Sequence, residues 1–248
     1  MYKYQKMQLI CLPFSGGSSF AYQPLAEYWP KSWKVKTVLL PGRGRRIGEP
    51  LILKMDALVE DCWQQISGYL HQPYAFFGHS LGSILAFLLT HKARAEGYSL
   101  PLHLFLSGTK GPSVELTKPY RYLYSKVDFK KKLEDYGGIS AEILNNEDAF
   151  NFFEPIIRAD FQVIETWQYV EKPLLTIPTT IITGTEENLL VEEIQQWQKE
   201  FMNEVVFVKM KGNHFFLFTQ AQQFVALIER NFRNSYPISS VIRNTQLQ

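Results

Sequence analysis

Short apolar runs recur along the chain at residues 9–12, 35–40, 74–77, 102–106, 179–183 and 205–210, with helical patterns between them. Runs of this length that stay apolar at successive positions suit strands buried on both faces. Their alternation with helices predicts an α/β fold, a mostly parallel central sheet with helices on both faces. Residues 84–89, directly after the third run, read as a buried helix. Between the fourth and fifth runs, from about 110 to 175, no segment reads as a strand. Residues 128–136, 140–144 and 154–169 read as helices there, and Gly137 and Gly138 separate the first two. Ile157, Phe161, Ile164 and Gln168 fall on one face of the last. An insertion of this size is expected to form a helical lid, because active sites of such sheets lie at the C-terminal edge of the strands. The plainer alternative is a packing appendage that never moves.

Length and composition narrow the class. The 248 residues fit one α/β domain over 1–233, with the lid at about 110–175 and a polar tail at 234–248 expected to be loosely held. A hydrophobic content of 46% with 15% aromatics is enough for a large core and too high for disorder. Lys plus Arg at 26 against Asp plus Glu at 24 gives +2, so nothing points to nucleic acid or an anionic membrane. No apolar run reaches the length of a membrane span and the start MYKYQKMQ has no secretory core, so a soluble cytoplasmic protein is expected. Cys11 and Cys62 are expected as buried thiols, without metal-ligand company.

Gly78-His79-Ser80-Leu81-Gly82 spells G-x-S-x-G between a strand-like and a helix-like run, the context of a nucleophile elbow. A serine on so sharp a turn sits in a strained backbone conformation, and bulk two residues to either side would collide with the neighbouring strand and helix. A serine hydroxyl needs a base, and the base needs a partner that fixes its tautomer, in the chain order Ser, acid, His. Of the five histidines, His71 and His91 lie on turn or helical segments, His79 is inside the elbow and His103 opens a strand. His214 differs: it follows the last strand in the loop Gly212-Asn213-His214 and can reach across to Ser80. The acid is expected after the fifth strand, in Gly184-Thr185-Glu186-Glu187-Asn188, where Glu186 and Glu187 both qualify and only one can meet His214. An oxyanion would be held by the backbone N–H of Leu81, at the start of a helix, and by a second N–H from the first-strand loop Leu12-Pro13-Phe14-Ser15-Gly16-Gly17. That Gly-Gly lacks the Lys-Ser/Thr of a phosphate-binding loop.

With these motifs placed, the chain resembles the type II (editing) thioesterases of nonribosomal peptide and polyketide synthesis, which are α/β-hydrolases. The likeness runs from about residue 8 to 230. It rests on LPFSGG at 12–17, the proline-glycine-arginine segment with Pro41, Gly42 and Arg43, GHSLG at the elbow, SGTKGP at 107–112, and Tyr136-Gly-Gly-Ile139. PIIRADF at 155–161 and GNHFFL at 212–217 complete it. The resemblance implies Ser80 as nucleophile, His214 as base, and Phe14 and Leu81 as oxyanion N–H donors. It places the acid at Glu187, where the family ordinarily has aspartate. Asp160 lies in a lid motif and reads as a structural partner of nearby groups, Arg158 among them. The implied reaction is hydrolysis of acyl or aminoacyl thioesters on the phosphopantetheine arm of a carrier protein, by way of an acyl-serine. No metal or bound cofactor is implied; the pantetheine belongs to the partner. A general acyl-CoA thioesterase or esterase and a fatty-acyl chain-releasing thioesterase would use the same triad, and a non-catalytic carrier-binding protein would carry a degraded one.

Overall fold

The computed structural model describes residues 7–116 and 118–235. Among them a sheet of six strands forms, β1 (Gln8–Leu12), β2 (Lys34–Thr37), β3 (Tyr74–His79), β4 (Leu104–Ser107), β5 (Thr179–Gly184) and β6 (Val206–Met210), in the order β2-β1-β3-β4-β5-β6. Every neighbouring pair is parallel. Each strand arises where an apolar run was read, but the second stops at Thr37. Val38, Leu39 and Leu40 are buried as the chain turns towards Pro41.

Period-2 alternation divides these strands between two cores. Ile10, Leu12, Tyr74 and Phe76 face one layer, packed by α1 (Met55–Ile66) and α2 (Leu81–Ala95). Leu9, Cys11, Ala75 and Phe77 face the other, where Tyr22, Leu25 and the apolar face of the C-terminal helix cover them. The insertion between β4 and β5 carries α3 (Lys126–Tyr136), α4 (Ala141–Asn145) and α5 (Glu147–Thr166), with a separate core of Phe129, Leu133, Leu144, Phe150, Ile157 and Phe161. Helix α6 (Val191–Gln195) follows β5, and α7 (Phe216–Thr219) and α8 (Ala221–Ser235) follow β6.

Several further boundaries differ from the sequence expectation; α5 ends at Thr166, so Gln168, expected on its apolar face, lies beyond it. Helix α5 begins at Glu147 rather than 154, because the Asn146 side chain accepts from Ala149 N–H at 3.0 Å and starts the helix there. Pro155 therefore sits inside the helix instead of at its first turn. Residues 234 and 235, assigned to the tail, are the last of α8, and the rest of the expected tail lies outside the described residues. Both thiols are buried and free, and burial pushes their pKa values up. No helix of the described residues is long and apolar enough to cross a membrane.

The junction of β3 with α2 is set by two close backbone approaches. A Cβ on Gly78 would stand 2.1 Å from the carbonyl oxygen of Gly82, and one on Gly82 would stand 2.0 Å from that of Leu12. Ser80, pinched between them, has φ 55° and ψ −118°, the sole positive φ among the described non-glycine residues. Such a conformation costs about 1–3 kcal/mol, which the surrounding packing offsets. Gly82→Ala should therefore destabilise the protein by several kcal/mol, even though alanine improves helix propensity by about 1 kcal/mol. A melting temperature equal to wild type would show that β1 and α2 can separate without cost.

Buried histidines give the fold a pH dependence. His103 stacks on Phe105 at 4.0 Å and meets Thr180 Oγ1 at 2.9 Å, and burial depresses its pKa to about 3. Burial, then the charges of Arg94 and Lys172, bring His91 to about 4. Unfolded histidine titrates near 6.5 (about), so below that pH the unfolded chain takes up protons that the folded chain refuses. The contribution is complete above pH ~6.5 and is lost as pH falls towards the folded values, at up to about 1.4 kcal/mol per pH unit for each histidine. Denaturant titrations between pH 6.5 and 5 (about the range above carboxylate titration) should show this fall, and His103→Gln should flatten it by about one proton.

Candidate active site

Strand ends bring the predicted residues to one edge of the sheet. Ser80 follows β3, its N–H donating to Ser107 O at 2.7 Å. The loops after β5 and β6 are joined along their backbones: Thr185 N–H donates to Met210 O at 2.8 Å and Glu186 N–H to Gly212 O at 2.9 Å. Gly184 makes this approach possible, since a Cβ there would lie 2.5 Å from Gly212 O and 2.7 Å from Asn213 O. The joined loops carry Glu187 to His214.

His214 Nδ1 is 2.6 Å from Glu187 Oε1, while Glu187 Oε2 accepts from Gly184 N–H, also at 2.6 Å. Both carboxylate oxygens are thus occupied, and the side chain is 3% exposed. Glu186 is exposed and meets the histidine loop only through its backbone. Of two adjacent carboxylates, the one that points inward is fixed by the turn, with the longer glutamate arm spanning from the loop to both N–H groups.

Three aromatic rings surround the imidazole of His214: His79 at 4.7 Å, Tyr136, from the end of α3, at 5.1 Å, and Phe215, edge-on, at 5.1 Å between centroids. His79 is fully buried with Nδ1 3.0 Å from Ser107 Oγ. Burial, and then the nearby His214, hold its pKa well below the ordinary range, so it is neutral. Gly108 leaves room for both imidazoles, because a Cβ there would meet His79 Cε1 at 2.4 Å and His214 Cε1 at 3.1 Å. Neither Tyr136 nor the Ser107–His79 pair stands out in the sequence by spacing, since each depends on packing between distant segments.

The first-strand loop turns tightly, with Gly17 N–H donating to Phe14 O at 2.8 Å and Gly16 at φ 80°. A positive φ at the third residue of a four-residue turn is the requirement of type II geometry, which favours glycine. The Phe14 ring packs edge-on to Phe215 at 5.0 Å. Leu81 is the first residue of α2, so its N–H is among those left without an intrahelical acceptor. Asp160 corrects the sequence reading: its partner is Arg43, at 2.6 and 2.8 Å, and not Arg158. Residues two apart on a helix point roughly 200° from each other, so Arg158 instead meets Glu154 one turn back at 2.7 Å.

A cavity of about 960 Å³ lies between the sheet edge and the insertion. Ser80, His214, Phe14 and Glu187 line it from below, and Tyr136 and Phe161 from the helices above. A serine on a strained turn, a carboxylate-bound histidine and free helix N–H groups around one space are the parts that acyl transfer through a serine ester needs.

Comparison with known proteins agrees. A family model described as Thioesterase domain matches residues 7–232. The gramicidin S biosynthesis protein GrsT of Aneurinibacillus migulanus is 27% identical over 229 residues, covering 92% of this chain and 90% of that protein. Among solved structures, ClbQ from the colibactin NRPS/PKS pathway superposes with a TM-score of 0.87 at 29% identity, over 93% of this chain and 98% of that one. The type II thioesterase BorB from the borrelidin biosynthetic cluster gives 0.84 at 28% identity, over 93% and 94%. The six-stranded parallel sheet, its helical insertion and these relationships together make this chain a member of the thioesterase family, with the α/β-hydrolase fold of the type II enzymes.

Proposed function

We propose that the chain hydrolyses acyl and aminoacyl thioesters carried on the phosphopantetheine arm of carrier proteins, clearing mis-primed or stalled synthase modules in the cytoplasm. The single observation that carries the mechanism is the 2.6 Å contact of Glu187 with His214 Nδ1, in the same cavity as Ser80. Glu187 fixes the tautomer in which Nε2 is unprotonated and can accept the Ser80 proton. Ser80 Oγ attacks the thioester carbonyl, and the oxyanion takes hydrogen bonds from Phe14 N–H and Leu81 N–H. The imidazolium returns its proton to the departing thiol as the C–S bond breaks. Water, deprotonated by the same nitrogen, then attacks the acyl-serine and releases the acid. A thiolate leaves readily, so orientation and oxyanion stabilisation carry much of the rate enhancement. The carrier partner is supported by the biosynthetic settings named for the relatives, and the cavity between the insertion and the sheet is the space its arm would enter.

Ser80→Ala should abolish turnover of acyl-loaded carriers, followed by intact mass, with a melting temperature close to wild type or above it. Activity within a few-fold of wild type would exclude the serine mechanism. Glu187→Gln should cost up to about 10⁴ in kcat, as loss of the orienting carboxylate does in a well-studied triad. A glutamine presents one acceptor to two N–H groups and turns its amide donor on the other. Glu186→Gln should remain within about twofold, as expected for an exposed side chain outside the contact. One acyl group delivered on a carrier and on CoA should give the higher kcat/KM with the carrier; equal efficiency would favour a general acyl-CoA thioesterase.

A further inference from the structure

The Asp160 side chain is 3% exposed, and its carboxylate does more than neutralise Arg43. Its Oδ2 accepts both from Arg43 Nη1 at 2.6 Å and from the backbone N–H of Gly16 at 2.7 Å, and its Oδ1 accepts from Arg43 Nη2 at 2.8 Å. Arg43 also donates to the carbonyls of Pro41 at 3.2 Å and Gly17 at 3.4 Å. One ion pair therefore grips both ends of the Gly16-Gly17 step. One turn away on the same face of α5, Ile157 lies over Gly16, so close that a Cβ there would stand 3.0 Å from its Cγ1. A helix of the insertion thus holds the turn that begins at Phe14 through a charged hydrogen bond and an apolar contact, across 144 residues of sequence.

We propose that Asp160 is a positioning residue for the oxyanion hole: through Gly16 N–H it fixes the turn that aims Phe14 N–H at the developing oxyanion, so the insertion and the hole form one unit. The inference rests on the serine mechanism above, in which Phe14 N–H is a donor. Its physical basis is the four-residue turn. Phe14 O is tied to Gly17 N–H, so the peptide planes from Phe14 to Gly17 move together and a displacement at Gly16 is passed to Phe14. A carboxylate accepting from a main-chain N–H is among the stronger hydrogen bonds, and burial removes competing water.

The test is Asp160→Asn, which keeps the shape and removes the charge. Kinetics on an acyl-loaded carrier should show kcat lowered by about 10- to 100-fold, below the 10²–10³ that complete loss of a donor costs, because the donor is misaligned rather than absent. KM should change by less than about threefold. An acyl trifluoromethyl ketone, which forms a tetrahedral adduct with an active serine, should lose affinity by the same factor as kcat/KM, whereas a thioether analogue of the substrate should bind as to wild type. A kcat within threefold of wild type, or equal losses for both analogues, would overturn the positioning role. Should Asp160→Asn leave Arg43 buried without its counter-charge and fail to fold, Arg43→Gln combined with Asp160→Asn removes both charges and is read in the same way. If Ser80→Ala turns over as fast as wild type, it is the serine mechanism that fails, whatever Asp160→Asn does.

Discussion

The carbonyl of Leu12 is the point on which the site turns. It ends β1, and the backbone of Gly82 approaches it so closely that any side chain there is excluded. It also accepts the buried hydroxyl of Tyr22 at 2.7 Å, so a polar group at the centre of the molecule is satisfied. Directly beyond it the chain becomes the Phe14 turn, and directly across from it the elbow presents Ser80. The distance between Ser80 and the Phe14 turn is thus set by a backbone contact, which rotamer changes cannot relax. A parallel register with Leu12 opposite Gly78 fixes the same relation from the sheet side.

Much of this was legible in the sequence because doubly buried strands leave continuous apolar runs, and because a strained elbow demands glycines at fixed offsets. The histidine was legible for a similar reason, since a glycine-bearing loop after the last strand leads to the same edge. What was hidden lies between segments far apart in the chain. The choice of Glu187 over Glu186 depends on how the loop after β5 is joined to the one after β6, and neither loop alone carries that information. The Asp160–Arg43 pair spans 117 residues. A local reading offered Arg158 because it was near in sequence, where helical geometry turns it away. The early start of α5 was obscured by Pro155, a residue that more often opens a helix than sits within one.

In the proposed mechanism the histidine pair at the elbow lets His214 work as a base in an apolar setting. His79 fills the space beneath His214 with a ring of neutral charge, and among the described residues its Nε2 is a buried nitrogen without a hydrogen-bond partner. That cost is accepted where an aliphatic side chain would forgo the contact with Ser107. A second positive charge at this distance would oppose formation of the imidazolium, so a depressed His79 pKa is compatible with His214 acting as a base. The carboxylate of Glu187 lies on Nδ1 of His214, where in the proposed mechanism it would stabilise the imidazolium as it forms.

The insertion is fastened unequally. Helix α5 belongs to two cores: Phe150, Ile157 and Phe161 to that of the insertion, and Val163, with Ile164 and Trp167 beside it, to the main one. It also carries Asp160, paired with Arg43 in the interior, where removing either partner would cost about 3–5 kcal/mol. By contrast, α3 and α4 contribute Phe129, Leu133 and Leu144 only to the insertion's own core. They meet the sheet edge through Tyr136 against His214, Gly137 against Asn213 and Gly138 against the ring of Phe215. These contacts with the sheet edge carry no charge, whereas α3 is tied to α5 by the ion pair of Lys126 with Glu147. Helix α5, by contrast, is seated on the Phe14 turn through Asp160 and Ile157.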